Sequence, residues 1–329
     1  MKIAFFELEN WEKEILIKEL KGHKLVFFEG HLTKNKAMKI KDVDVIVIFI
    51  YSHINKEIIN LLPKLKMVST MSTGVDHIDI GECKKRKIKI MNVPYYGENT
   101  VAEHTFALIL ALSRKICEAH DRTKRGDFLL NGLEGFDLKD KIIGIVGMGH
   151  IGSRVARIAN GFEMKILSFT KHKDMKLARN LEVKYVSLNE LLRKSDVVSL
   201  HVPYTEETHH MINKNNIKLF KKGALLINTA RGGIIETEAI LYGLNEKILG
   251  GVGLDVLEEE HFIKEEKQLL SKQFVEECDL KTLLENHVLL NHKDVIITPH
   301  SAFYSREALL RVLHTTMENI GRFGKKIEK

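Results

Sequence analysis

The chain has 329 residues, 44% hydrophobic and 29% charged, and 51 Lys plus Arg against 44 Asp plus Glu leave a net charge of +7. That length exceeds one ordinary core and suggests two domains of globular composition. The lysines are scattered among glutamates rather than gathered in a block, and no nucleic-acid-binding module is recognisable, so a solvated mixed surface is expected and no nucleic-acid partner.

The opening MKIAFFELENWEKE turns charged too soon for a signal peptide. Segments 3–6, 24–28, 43–49, 67–70 and 88–92 read as strands, and 11–20, 56–62 and 78–87 as connecting helices. This alternation predicts a parallel sheet covered on both faces. The longest apolar run, around 45–50, is far too short to span a bilayer. The stretch PYYGEN at 94–99 breaks the rhythm, and Thr100 with Glu103 has the T-x-x-E spacing of a capping box. The helix expected from there carries Phe106, Ile109, Leu110 and the run 112–116, apolar over enough of its circumference to predict burial between domains or subunits. Cys83, Cys117 and Cys278 are too few and too scattered for a disulfide framework and suit a reducing cytoplasm.

After a polar, glycine-containing link at 122–140, the segment 141–173 reads KIIGIVGMGHIGSRVARIANGFEMKILSFTKHK. A β-branched run leads into Gly147, Gly149 and Gly152 at G-x-G-x-x-G spacing, then a helical pattern to Gly161, then a second strand at 165–169. In that order the first glycine permits a tight turn, the second lets backbone approach a pyrophosphate, and the third lets helix pack on strand. The helix N-terminus then faces the anion. Beyond it, 197–201, 225–229, 251–256 and 295–298 read as buried strands, and 190–194, 213–220 and 236–244 as crossover helices. With the two strands of the glycine unit this makes a six-stranded dinucleotide-binding sheet. A mostly helical insertion is expected at 262–287, and a terminal helix at 305–323 is expected to return to the first domain. The fold class is therefore α/β with two Rossmann-like domains and an interdomain cleft: a flavodoxin-like substrate domain over 1–99 with 300–329, and a dinucleotide-binding domain over 100–299.

In such sheets ligands bind beyond the carboxyl ends of the strands. The residues there include Ala230-Arg231-Gly232, Leu257 with Glu258 to Glu260, Pro299-His300 and His201-Val202-Pro203. An arginine, a carboxylate and a histidine thus emerge beside the glycine loop. Reducing a ketone places negative charge on its oxygen, which needs a proton donor. Histidine serves in both directions near neutral pH, a carboxylate on its other nitrogen orients it, and arginine grips a substrate carboxylate through two hydrogen bonds. Each feature alone has a blander reading, as a turn, a surface ion pair or a solvated helix start. Their joint placement favours chemistry.

The stretches GIVGMGHIG, HVPYTEETHHMI, LLINTARGGIIE, GLDVLEEE and VIITPH, with STGVDHID and NVPYYGENTVAEH nearer the start, closely resemble the D-isomer-specific 2-hydroxyacid dehydrogenases. The segment after Glu260 and the HSAFYS sequence resemble the D-lactate dehydrogenase branch; a C-terminal regulatory domain, common in phosphoglycerate dehydrogenases, is not expected. The resemblance implies that Arg231 binds the substrate carboxylate and carbonyl, that His300 is the acid/base, and that Glu260 is its partner. It implies cofactor contacts at Gly147, Gly149, His150, Ile151 and Gly152, at Thr170 and Lys171, at His201, Val202 and Pro203, at Thr229 and Ala230, and at Asp255, the last against the nicotinamide amide. Thr73 and Gly74 would offer backbone N–H groups to the substrate, and Tyr51, Tyr96, Phe303 and Tyr304 an aromatic wall. Met71 stands where relatives often have arginine.

NAD-preferring relatives carry an acidic residue where this chain has Thr170, followed by Lys171-His172-Lys173. An acid there accepts from the ribose 2′-hydroxyl, so its absence beside basic residues favours NADP(H) over NAD(H), or dual use. His201, His209 and His210 are better explained by cofactor-pocket and helix-start positions than by a metal, so none is expected. The expected substrate pair is pyruvate and D-lactate, with glyoxylate, hydroxypyruvate or a phenylpyruvate-like acid as alternatives. A non-catalytic, dinucleotide-sensing corepressor is the competing class. A homodimer in the cytoplasm, without a membrane partner, completes the expectation.

Overall fold

A computed structural model describes residues 1–260 and 279–327 of the chain. It divides into two compact units, one of residues 1–96 with 305–329 and one of residues 97–304.

The first unit holds five parallel strands, β1 (Lys2–Phe5), β2 (Lys24–Phe27), β3 (Val45–Ile48), β4 (Met67–Thr70) and β5 (Lys89–Met91), in the order β2-β1-β3-β4-β5. This is the flavodoxin-like doubly wound order. All four residues of β3 and of β4 are buried, as expected of central strands covered on both faces. Beyond β1, Glu7 folds back with φ +60°, and its carboxylate accepts from the backbone N–H groups of Phe49 (3.0 Å) and Tyr51 (2.9 Å). One side chain thereby braces the loop that follows β3. The terminal helix Arg306–Ile327 belongs to this unit, where Arg311 Nε donates to the carbonyl of Tyr96 at 2.7 Å and Asn319 Nδ2 to that of Asn92 at 3.0 Å.

Among its described residues the second unit has seven parallel strands rather than the expected six. They are β6 (Ile142–Val146), β7 (Lys165–Phe169), β8 (Val183–Tyr185), β9 (Val197–Leu200), β10 (Ala224–Asn228), β11 (Leu249–Leu254) and β12 (Val295–Ile297), in the order β12-β11-β10-β9-β6-β7-β8. The strand missed in the sequence is β8, three residues at the sheet margin, too short for alternation to register. Restoring it gives the two-halved dinucleotide-binding order with one strand added at the far edge. Chain order reverses between the neighbours β6 and β9.

Two helical expectations need correction. The helix carrying Thr100 spans Glu98–Ser113 with Gly97 at its N-cap, so Thr100 and Glu103 lie inside it rather than forming its cap. It lies against the helix His150–Gly161 and strands β10 and β11 of its own unit, with Phe106, Leu108 and Ile109 in the buried core. Ile116, taken as part of that run, lies instead on a separate helix (Ile116–Lys124) and is 55% exposed in the single chain, because Lys115 turns the chain at φ +50°. Residues 213–220 form only a 3₁₀ turn, Ile217–Leu219. There Asn213 Oδ1 accepts from Asn215 N (3.0 Å), and Asn216 Oδ1 accepts from Asn213 N (2.9 Å). Such local side-chain bonds compete with a helical ladder. Of the expected helical insertion, residues 261–278 lie outside the described residues, and Leu280–Leu290 is a helix.

Candidate active site

Register brings the site together. In the second unit Ile297 pairs with Leu254, Leu254 with Asn228, Asn228 with Leu200, Leu200 with Val146 and Val146 with Phe169. Parallel strands in register end on one line, so the residues after them leave from a single edge: Thr298, Asp255, Thr229, His201, Gly147 and Thr170. The segments holding Arg231, Glu260 and His300 follow three adjacent strands, β10, β11 and β12. Open α/β sheets bind ligands at this edge, above all where strand order reverses.

The glycine loop is shaped by contact rather than by composition alone. Gly147 has φ +96°, and a Cβ there would meet the carbonyl oxygen of His201 at 2.5 Å. A Cβ on Gly152 would come within 2.0 Å of the carbonyl oxygen of Gly147. Gly149 is the N-cap of His150–Gly161 and supplies no side-chain cap; a Cβ there would meet nothing within 4 Å. An uncapped twelve-residue helix thus opens onto space beside the turn. Its end offers N–H groups and the positive pole of the helix to an anion. The residues present fit a dinucleotide pyrophosphate.

On the next strand His201 packs behind the loop, its Nε2 2.8 Å from Ser199 Oγ, and burial pushes its pKa down to about 3. The imidazole is therefore neutral at physiological pH. Val202 and the exposed Pro203 continue that segment. At the end of β7, Thr170 Oγ1 donates to the carbonyl of His172 at 3.4 Å, and Lys171 Nζ lies 3.3 Å from Glu207 Oε2 in an exposed pair. No acidic side chain occupies position 170.

Arg231 is placed by a residue the sequence reading passed over. Asn228, 1% exposed at the end of β10, accepts from Ala230 N (3.0 Å) and donates through Nδ2 to the Arg231 carbonyl (2.8 Å). The turn it closes holds Thr229 buried, and Thr229 Oγ1 lies 3.0 Å from Thr105 Oγ1. Gly232 follows because a Cβ there would meet the carbonyl oxygen of Leu257 at 2.0 Å.

His300 Nδ1 lies 2.6 Å from Glu260 Oε1, and both side chains are partly exposed, 19% and 27%. A carboxylate cannot donate, so Nδ1 carries the hydrogen and Nε2 is the nitrogen left for exchange with a ligand. Phe303 lies edge-on to His300 at 6.4 Å between ring centroids, and Tyr304, 55% exposed, lies edge-on to Phe303 at 5.9 Å. Asp255 is 1% exposed, and its carboxylate accepts from Thr298 Oγ1, Ser301 N and Ala302 N. Glu258, beside the expected partner, is engaged elsewhere: Oε1 lies 2.5 Å from His210 Nε2, and Oε2 accepts from Thr237 Oγ1 at 2.8 Å.

The remaining expected residues belong to the first unit. Tyr51 is 44% exposed, Tyr96 is 8% exposed, and Met71 is buried. The Thr73–Gly74 loop is braced by Thr73 Oγ1 donating to the Val93 carbonyl (2.9 Å), Asn92 Nδ2 to the Thr73 carbonyl (2.8 Å) and Ser72 Oγ to the Gly74 carbonyl (2.7 Å).

A doubly wound sheet with an open glycine loop, and a histidine–carboxylate pair with an arginine along the same edge, define a nicotinamide-dependent oxidoreductase. Residues 106–302 match the model of the D-isomer specific 2-hydroxyacid dehydrogenase, NAD binding domain. The chain is 36% identical over 325 residues to a 2-hydroxyacid dehydrogenase homolog of Zymomonas mobilis, covering 97% of this chain and 96% of that one. It is 34% identical to a glyoxylate reductase of Pyrococcus furiosus, covering 94% and 84% of the two chains. Its structure superposes on a D-lactate dehydrogenase of Aquifex aeolicus complexed with NAD and lactic acid, with a TM-score of 0.85, 36% identity and coverage of 98% and 96%. The chain belongs to the D-isomer-specific 2-hydroxyacid dehydrogenases. It is an oxidoreductase that acts on small 2-hydroxy or 2-keto acids with a nicotinamide cofactor. Among the described residues no helix is long and apolar enough to cross a membrane.

Proposed function

We propose that this enzyme interconverts pyruvate and D-lactate, with His300 as proton donor and acceptor, Glu260 as its orienting partner and Arg231 as the substrate-carboxylate ligand. The observation that carries the reading is the 2.6 Å contact between His300 Nδ1 and Glu260 Oε1, beyond the strand that neighbours β11. When bound, a nicotinamide cofactor would supply hydride to the keto carbon and take it back from the hydroxy acid. His300 gives a proton from Nε2 to the carbonyl oxygen as negative charge builds there, and recovers it in the reverse direction. Glu260 accepts from Nδ1–H and keeps the imidazole oriented for that exchange at Nε2. Arg231 holds the keto acid through paired hydrogen bonds to its carboxylate.

The cofactor is held, in this proposal, by residues 147–152, by Thr170 and Lys171, by residues 201–203, by Thr229 and Ala230, and by Asp255. NADP(H), or either cofactor, is favoured because a threonine followed by lysine stands at the end of β7. Tyr51, Thr73, Gly74, Tyr96, Phe303 and Tyr304 are proposed to surround the substrate, and the branch resemblance together with the Aquifex superposition supports pyruvate. The Pyrococcus relative makes glyoxylate the second candidate. A homodimer is proposed because Phe128, Leu129 and Leu130 stand 76%, 69% and 81% exposed in succession, an apolar run that water disfavours. A cytoplasmic site is proposed from the sparse cysteines, of which Cys83 and Cys117 are free.

The test is a matrix of NADH and NADPH against pyruvate, glyoxylate, hydroxypyruvate and phenylpyruvate, followed by loss of reduced-cofactor absorbance. The highest kcat/KM is expected with pyruvate. A higher value with glyoxylate would move the assignment to a glyoxylate reductase, and no turnover with any keto acid would favour a dinucleotide sensor.

A further inference from the structure

Behind the histidine loop lies a chain of contacts that ends in a histidine to which the proposed reaction gives no role. His104, on the helix Glu98–Ser113, places Nε2 3.0 Å from Thr298 Oγ1 and 3.6 Å from Asp255 Oδ1. Thr298 Oγ1 in turn donates to Asp255 Oδ1 at 2.5 Å. The same carboxylate accepts from Ser301 N at 2.8 Å and from Ala302 N at 2.8 Å, while Asp255 N donates to the Asn228 carbonyl at 2.9 Å. Asp255 therefore ties residues 298, 301 and 302 around His300.

His300 needs that tie. Its φ is +54°, in the left-handed region, although it carries a full side chain. Such a backbone is strained for a residue with a side chain and persists only where its surroundings over-determine it. Bonds to Asp255 on both sides of His300 provide that constraint. They hold the loop only while the carboxylate keeps one orientation, and this is where His104 enters. Thr298 has a single hydroxyl proton, directed to Asp255, so its oxygen accepts from His104 Nε2–H. A hydroxyl that receives one bond and gives another cannot swing away from the carboxylate without breaking both.

We infer that His104 is a positioning residue, which through Thr298 and Asp255 holds the loop bearing His300 in its left-handed turn. The inference rests on the assignment of His300 as the proton donor. A misplacement of the reacting imidazole by a fraction of an ångström is felt in the rate rather than in substrate affinity. The next residue supports the same role for the helix, since Thr105 Oγ1 meets Thr229 Oγ1 at the end of β10 at 3.0 Å.

The experiment compares wild type, His104→Phe, His104→Gln, Thr298→Val and the His104→Phe/Thr298→Val double variant of the full chain, with the best keto acid of the panel and reduced cofactor. His104→Phe is expected to lower kcat about tenfold with keto-acid KM changed less than about twofold. His104→Gln, which keeps an N–H donor, is expected to stay within about threefold of wild type, and the double variant to lose no more than the worse single one, as for residues acting in one chain. Unchanged kcat in His104→Phe, equal damage in His104→Gln, or multiplied losses in the double variant would each overturn the inference. If wild type turns over no keto acid, the functional reading fails on its own. A crystal structure of His104→Phe then decides: a backbone at residue 300 that leaves the left-handed region upholds the role, and one that stays there refutes it.

Discussion

Glu260 and His300 are forty positions apart in the chain, yet their side chains meet at 2.6 Å through Oε1 and Nδ1. Glu260 Oε2 also accepts from Leu257 N at 3.4 Å, so the carboxylate is steadied by its own loop. Removing the imidazole removes the proton donor, and His300→Ala is expected to lower kcat about 10²–10⁴-fold in both directions. Glu260→Gln is expected to cost less, about 10–10²-fold, because the amide oxygen still accepts from Nδ1–H but adds no charge. Initial rates of keto-acid reduction and hydroxy-acid oxidation check both.

Arg231 already gives one hydrogen bond to its neighbour, Nη1 to the Ala230 carbonyl at 2.8 Å, which sets the plane of the guanidinium. A lysine has neither that plane nor a fork. Arg231→Lys is therefore expected to raise keto-acid KM and lower kcat together, with kcat/KM down by about 10²-fold, the equivalent of one to two charge-assisted hydrogen bonds. Steady-state kinetics over a wide keto-acid range would show it, and unchanged KM would contradict the role.

Two glycines of one loop should respond differently to the same methyl group. Gly147→Ala combines φ +96° with a 2.5 Å approach to the His201 carbonyl, and a stability loss of about 2 kcal/mol or more is expected. Gly149→Ala meets no protein atom within 4 Å, so stability is expected within about 0.5 kcal/mol of wild type. Its methyl would stand where phosphate oxygens are expected, weakening reduced-cofactor binding about tenfold. Thermal melts and cofactor fluorescence titrations separate the two effects.

His201 has its pKa lowered to about 3 by burial, against 6.5 for the free side chain. Between those values the unfolded chain takes up a proton that the folded one refuses, so stability falls as pH drops below 6.5. The loss is up to about 1.4 kcal/mol for each pH unit in that window. A His201→Asn variant is expected to lose less stability than wild type between pH 7 and pH 5, measured by denaturant unfolding. Equal losses would show that His201 is not buried neutral.

Cofactor preference can be reversed at one position. Thr170→Asp places a carboxylate where a ribose hydroxyl would be held and a 2′-phosphate repelled, and the ratio of kcat/KM for NADPH over NADH is expected to fall at least about tenfold. If it does not, the basic residues that follow Thr170 do not read the phosphate.

Much of this was legible from the sequence because the features are local and periodic. Buried parallel strands are continuous apolar runs, and the glycine spacing between a strand and a helix carries its own geometry. What escaped has physical reasons. Val183–Tyr185 is too short for a period, and at residues 213–216 asparagines bond their own backbone instead of propagating a helix. At the site, the pairing of His300 with Glu260 was expected from motifs, whereas the work of Asn228, Thr298 and His104 was not. Those residues act through single hydrogen bonds between segments far apart in the chain, and nothing in their spacing announces them. A polar residue at the end of a buried strand, as Asn228 is, was the one available signal.

β12 has three residues and, among the described residues, a neighbouring strand on one side only. The histidine that follows it therefore hangs from the margin of the sheet, where one ladder instead of two resists fraying. Amide exchange at Val295–Ile297 should accordingly outpace that of β10 and β11, and the slowest motion felt at the site would be the peeling of this selvedge.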